Sequence, residues 1–88
     1  MRVENMRSTR GNKVANQFLI TDDKGATYFQ SYRSIIAKKY QGLIYLDKCY
    51  WDYSTTTGKY RNDFLGEGIA DTRKKIQSGE YILTDLNN

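Results

Sequence analysis

Apolar residues repeat at every second position as far as about Tyr53 and at helical spacing after it, and this change of period limits the chain to strands first and helices second. The run KVANQFLI sets Val14, Asn16, Phe18 and Ile20 on one face against Ala15, Gln17 and Leu19 on the other, the pattern of a half-buried strand. TDDKGA closes it with a hairpin in which Gly25 supplies the left-handed position. TYFQSY returns, a break falls near Arg33, and SIIAKKY brings β-branched Ile35 and Ile36, which favour extended backbone. Gln41-Gly42 is a two-residue turn into LIYL. The aromatic run Tyr50, Trp51 and Tyr53, with Cys49 filling a gap in the core, ends the extended half.

Past that run, Tyr60, Phe64 and Leu65 fall on one side of a helix, and Lys59, Arg61, Asn62 and Asp63 on the other. Gly66 and Gly68 stop it. Ile69, Thr72 or Arg73, and Ile76 mark a second helix, with Asp71 and Lys75 at a supportive i,i+4 spacing and Gly79 as its stop. EYILTDL is a closing strand. Residues 1–13 read as a basic arm or an edge strand that turns at Gly11-Asn12. The order is β-β-β-β-α-α-β: a small antiparallel sheet of about four to five strands packed with one or two short helices, an α+β fold. With 88 residues there is room for one core, so residues 1–88 form a single domain.

The chain contains no histidine and one cysteine. That removes disulfides, zinc sites of the usual spacing, Ser-His-Asp and Cys-His nucleophiles, and histidine bases together. Asp47, Asp52, Asp63 and Asp71 match no metal-site spacing, so the expectation is a non-enzyme without cofactor or metal. No apolar run is long enough to span a membrane and the first residues lack an apolar core of the secretory kind; the expected location is the cytosol.

The net charge is +4, and residues 1–44 carry eight Lys and Arg against three acids, whereas residues 45–88 carry six against seven. Arg7, Arg10 and Lys13, then Tyr32, Arg33, Lys38 and Lys39, are the candidate contacts for an anion or partner, with Lys59 further along. Tyr28, Phe29, Tyr40 and Tyr45 interleave with these cations as they do in single-strand binders. The stretch Ser54-Thr55-Thr56-Thr57-Gly58 admits two readings. Thr56 or Thr57 caps a helix, or Ser54, Thr56, Thr57 and Gly58 seat a phosphate beside Lys59. Only Gly58-Lys59 of a Walker A loop is present, so nucleotide hydrolysis is not indicated.

FQSYRSIIA from Phe29, YLDKCYWDYSTTTGKYRNDFLG from Tyr45 and KIQSGEYILTDL from Lys75 together resemble a family of small uncharacterised proteins of tailed bacteriophages and related mobile elements. The most specific block is Asp52 to Lys59. The resemblance implies a phage accessory protein that binds and blocks a host target in counter-defence or takeover, and it brings no catalytic residue. Its partner would be a host protein, or a nucleic acid or nucleotide. Two alternatives stand beside it: direct nucleic-acid binding by the tyrosine-rich sheet, and a structural protein that self-associates into a homo-oligomer through an edge strand.

Overall fold

In the computed structural model, which describes residues 1–87, the first half of the chain is a meander of five antiparallel strands: β1 (Arg2–Arg7), β2 (Lys13–Thr21), β3 (Thr27–Ser31), β4 (Ser34–Tyr40) and β5 (Leu43–Asp47). Helices α1 (Thr55–Leu65) and α2 (Ile69–Ser78) follow, and β6 (Tyr81–Thr84) pairs parallel with β5. A parallel return needs a long crossover, which the two helices provide. The sheet has six strands in chain order, more than the four to five expected, because the polar start is a full edge strand with Val3 opposite Ile20.

Both helices contribute to the core on one face of the sheet. Leu19, Phe29, Ala37 and Leu46 form a row across β2 to β5, joined by Met6, Ile36 and Tyr81 of the sheet and covered by Tyr60 and Phe64 of α1. The Phe29 and Phe64 rings lie 6.0 Å apart at 33°. Two irregularities set which residues reach this core. The register shifts between Phe29 and Gln30, so Ile36 is an extra residue on β4 and is buried together with its neighbour Ala37. Asn16 takes φ 65, and the single face read from Val14, Asn16, Phe18 and Ile20 breaks there: Val14 packs on the core with Leu19, while Phe18 and Ile20 point away.

Charged residues do more inside this fold than the alternation suggests. Arg61, expected on the wet side of α1, is 1% exposed. Its guanidinium lies over the Trp51 ring and donates to the Trp51 carbonyl at 2.8 Å, to Asn62 Oδ1 at 3.0 Å and to Asp52 at 3.4 Å. Lys75 pairs with Glu67 at 2.6 Å rather than with Asp71; Glu67 also accepts from Thr72 and Tyr81, tying α2 to β6. Cys49 is exposed and fills no gap in the core.

Asp47, buried at the end of β5, accepts from the N–H groups of Cys49, Tyr50 and Leu86, so one carboxylate joins the loop before α1 to the C-terminal tail. Asn87 completes the join: its amide donates to the Ile35 carbonyl and accepts from the Ile35 N–H, taking the place of a ladder partner beyond the end of β5. Burial pushes the Asp47 carboxyl up, but the Leu86 N–H, the Asn87 amide and the Cys49 and Tyr50 N–H groups outweigh it and hold the pKa below its ordinary value. Glu67 is likewise pushed up by burial and brought below its ordinary value by Lys75, Thr72 and Tyr81. Groups with lowered folded pKa contribute stability above their unfolded values and lose it as pH falls through the folded ones. The melting temperature should therefore hold at neutral pH and drop once pH passes below those ordinary values. Asp47→Asn should cost about 1–3 kcal/mol at pH 7 and flatten the acid limb; circular dichroism melts at several pH values check both.

Candidate functional site

Among the described residues, no helix lies on the other face of the sheet. Across all six strands it presents a continuous row of ladder partners, Val3, Ile20, Tyr28, Lys38, Tyr45 and Ile82. Lys38 is the centre of it. Its ammonium sits 5.5, 5.2 and 5.6 Å from the ring centroids of Tyr28, Tyr40 and Tyr45, so three aromatic faces hold one cation in place. The Tyr28 hydroxyl donates to Asp22 at 3.3 Å and is oriented by it. The Ala26 N–H, opposed by partial burial and helped by the Lys24 N–H, Tyr28 and Lys38, holds the Asp22 carboxyl below its ordinary pKa.

Lys39 is not part of this surface. One residue along the strand from Lys38, it points to the helices, donates to the Phe64 carbonyl and lies 4.3 Å from the Phe64 ring centre. The carbonyls at the end of α1 lack intrahelical partners, and an ammonium there satisfies one of them. Phe29, interleaved with the tyrosines in the sequence, is likewise fully buried in the core.

Strand direction sorts the remaining cations. Arg7, Arg10 and Lys13 flank the β1–β2 connection, Tyr32 and Arg33 form the β3–β4 turn, and Lys48 follows β5; in an antiparallel meander these connections share one end of the sheet. Asp22, Asp23, Glu67 and Glu80 belong to connections at the opposite end, where the Met1 amine pairs with Asp23. Asp47, Asp52 and Asp85 share the first end and Lys24 the second, but five cations against three acids leave the first end basic. Arg7 is partly engaged, donating to the Gly11 carbonyl at 3.2 Å.

At the opening of α1 the cap is Ser54, not Thr56 or Thr57. Ser54 Oγ accepts from the Thr57 N–H at 3.1 Å. Thr57 lies within the first turn, fully buried, its hydroxyl 2.9 Å from Ser31 Oγ, which joins the helix to β3. Thr56 and Lys59 are exposed. The groove beside this turn is lined by Asp52 and Asp63 as well as Lys59 and Arg61, and the Arg61 nitrogens Nη1 and Nη2 already have acceptors. A phosphate would meet two carboxylates there, so the geometry favours the cap reading.

Among the described residues no three His, Cys, Asp or Glu side chains gather where a metal ion could be held. Two residues of interest gave little signal in the sequence. Asn16 and Tyr53 lie at the basic end beside Tyr32 and Arg33; a polar residue inside an alternating strand was the one available sign, since asparagine tolerates positive φ.

Ser54→Ala should destabilise the domain by about 1 kcal/mol, whereas Thr56→Ala and Lys59→Ala should stay within about 0.5 kcal/mol of wild type. At Gly58 an added methyl meets Arg61 Nη2 at 3.5 Å, an ordinary contact. Gly58→Ala should then stabilise by about 0.5–1 kcal/mol through helix propensity. Urea titrations of the four variants test this.

No curated protein and no solved structure matches the chain. A family model described as a family of unknown function, DUF8033, matches residues 1–82. With nearly its whole length matched, the chain belongs to DUF8033.

Proposed function

We propose that the protein is a non-enzymatic binding module that takes single-stranded nucleic acid on the helix-free face of its sheet, approached from the basic end. The observation that carries this reading is the lysine held among three tyrosines. Bases stack on aromatic side chains without regard to sequence, and a phosphate needs a cation within reach. At Lys38 both are present in one spot, and the rings have already restricted the ammonium, so less freedom is lost when a phosphate arrives. Val3, Ile20 and Ile82 extend the row as apolar surface, and Arg7, Arg10, Lys13 and Arg33 supply positive potential at the end from which a strand would enter.

The likeness of the Phe29–Ala37, Tyr45–Gly66 and Lys75–Leu86 segments to phage proteins supports placing the module among accessory proteins of bacteriophages or mobile elements, acting in the host cytosol during takeover or counter-defence. A protein that covers single strands could shield them or compete for them there. Blocking a host protein directly is the second reading, and β1 favours it: among the described residues its outer edge is unpaired, and a partner strand could add to it beside exposed Val3.

Fluorescence anisotropy with a labelled single-stranded oligonucleotide is the test. Affinity should fall steeply with salt. Tyr28→Ala and Tyr45→Ala should each weaken binding by about 5- to 100-fold, and Lys38→Ala should weaken it and reduce the salt slope by about one. Lys39→Ala should reduce stability and leave the affinity of the folded protein unchanged. Absence of binding at low salt by the folded protein would sink the proposal.

A further inference from the structure

The basic end carries an open groove of about 710 Å³, a size usual for small-molecule sites. Phe18, Tyr32 and Tyr53 supply its rings, Asn16 an amide and Arg33 a guanidinium. Tyr32 and Tyr53 are 54% and 65% exposed, and the Tyr53 ring is steadied by an edge contact with Tyr50 at 5.6 Å, so two large rings are open to a ligand.

The backbone under this groove is held in an unusual state. Tyr32 has φ 56 and Asn16 has φ 65, and the two are joined by the Tyr32 N–H donating to the Asn16 carbonyl at 2.7 Å. Asparagine accepts a left-handed conformation readily; a tyrosine in it is an outlier. The turn between Ser31 and Ser34 has only two residues, Tyr32 and Arg33, and a glycine at the first would relieve the strain. Strain kept where a smaller residue would remove it points to a task for the side chain. A second anomaly adjoins it. Gln17, the ladder partner of groove-lining Ser31, is 1% exposed with both ends of its amide unpaired among the described residues, but it does not line the groove and so offers a ligand no direct contact.

We infer that this groove binds a purine nucleoside monophosphate, its base stacked on the rings of Tyr32 and Tyr53 and its phosphate at Arg33. Two exposed rings suit a flat π-system, and Arg33 forms no ion pair among the described residues. An asparagine amide offers a donor and an acceptor side by side, the pair that matches the adenine edge. Arg7, Arg10 and Lys13 at the same end add to the potential that draws in the phosphate.

Calorimetric titration of the full chain with AMP, and with ribose 5-phosphate and adenosine for comparison, tests this. AMP should bind saturably at one site, and both fragments at least about 10-fold more weakly, one for want of stacking and the other for want of the phosphate. Tyr32→Gly is the informative variant. It should melt at the same temperature as wild type or higher, because glycine accepts φ 56, and should lose AMP about 10-fold or more. Tyr53→Ala, on a separate loop, should lose AMP similarly, and Arg33→Ala should bind AMP no better than adenosine. Wild-type protein that ignores AMP, ribose 5-phosphate that binds as well as AMP, or a folded Tyr32→Gly that binds AMP like wild type would each overturn the assignment. AMP binding should persist in Tyr45→Ala. If AMP binds and oligonucleotides do not, the groove stands and the sheet-face reading falls; if oligonucleotides bind and AMP does not, the sheet face stands and the groove assignment falls.

Discussion

Two helices of 11 and 10 residues lie over one face of a six-stranded sheet, and among the described residues nothing lies over the other. Apart from the bulge at Ile36 and the break at Asn16, a strand residue therefore has one of two fates, set by the parity of its position. Adjacent residues show how sharp the division is. Phe29 is lost in the core while Tyr28 stands on the open side, and Lys39 serves the end of α1 while Lys38 is held among tyrosines. A shift of one residue in β4 would exchange the two lysines and turn Ala37 out of the core, so the register of this strand governs both the core and the exposed surface.

That division was partly legible in the residues. The strand and helix segments, the turns at Gly25 and Gln41-Gly42 and the order of elements follow from local periodicity and turn chemistry, which are properties of neighbours in the chain. What escaped depends on contacts between distant residues. The burial of Arg61 needs Trp51, Asp52 and Asn62 to meet it, and the partner of Lys75 is Glu67 across a turn rather than Asp71 on the same helix. In the hydroxyl run before α1 each candidate could cap, and the choice of Ser54 follows from Thr57 being drawn into the interior by Ser31. The groove at the basic end was hidden for another reason: positive φ at Asn16 and Tyr32 leaves no periodic trace.

The frame and the groove differ in how well their polar groups are answered. Asp47 gathers three backbone N–H groups, Glu67 three side chains, and Arg61 a carbonyl and two side chains with its Nε left unpaired among the described residues, so the buried charges of the frame are largely compensated. At the groove Tyr32 is strained, and Gln17, which lies beside Ser31 without lining the groove, is unanswered among the described residues. A fold can carry a local deficit of that kind only if the rest is firmly tied, and sites of binding are where such deficits gather.

The separation of charge along the strands has a consequence for motion as well as for affinity. Arg7, Arg10, Lys13, Arg33 and Lys48 outnumber Asp47, Asp52 and Asp85 at one end, whereas Asp23 and Glu67 at the other are paired with the Met1 amine and Lys75, so the molecule presents its strongest positive potential at the first end. Near a polyanion it experiences a torque as well as an attraction, and it turns its β3–β4 corner forward before contact. Orientation, which usually slows the docking of specific patches, is then settled during approach, and added salt would act first on the rate of arrival rather than on the lifetime of the complex.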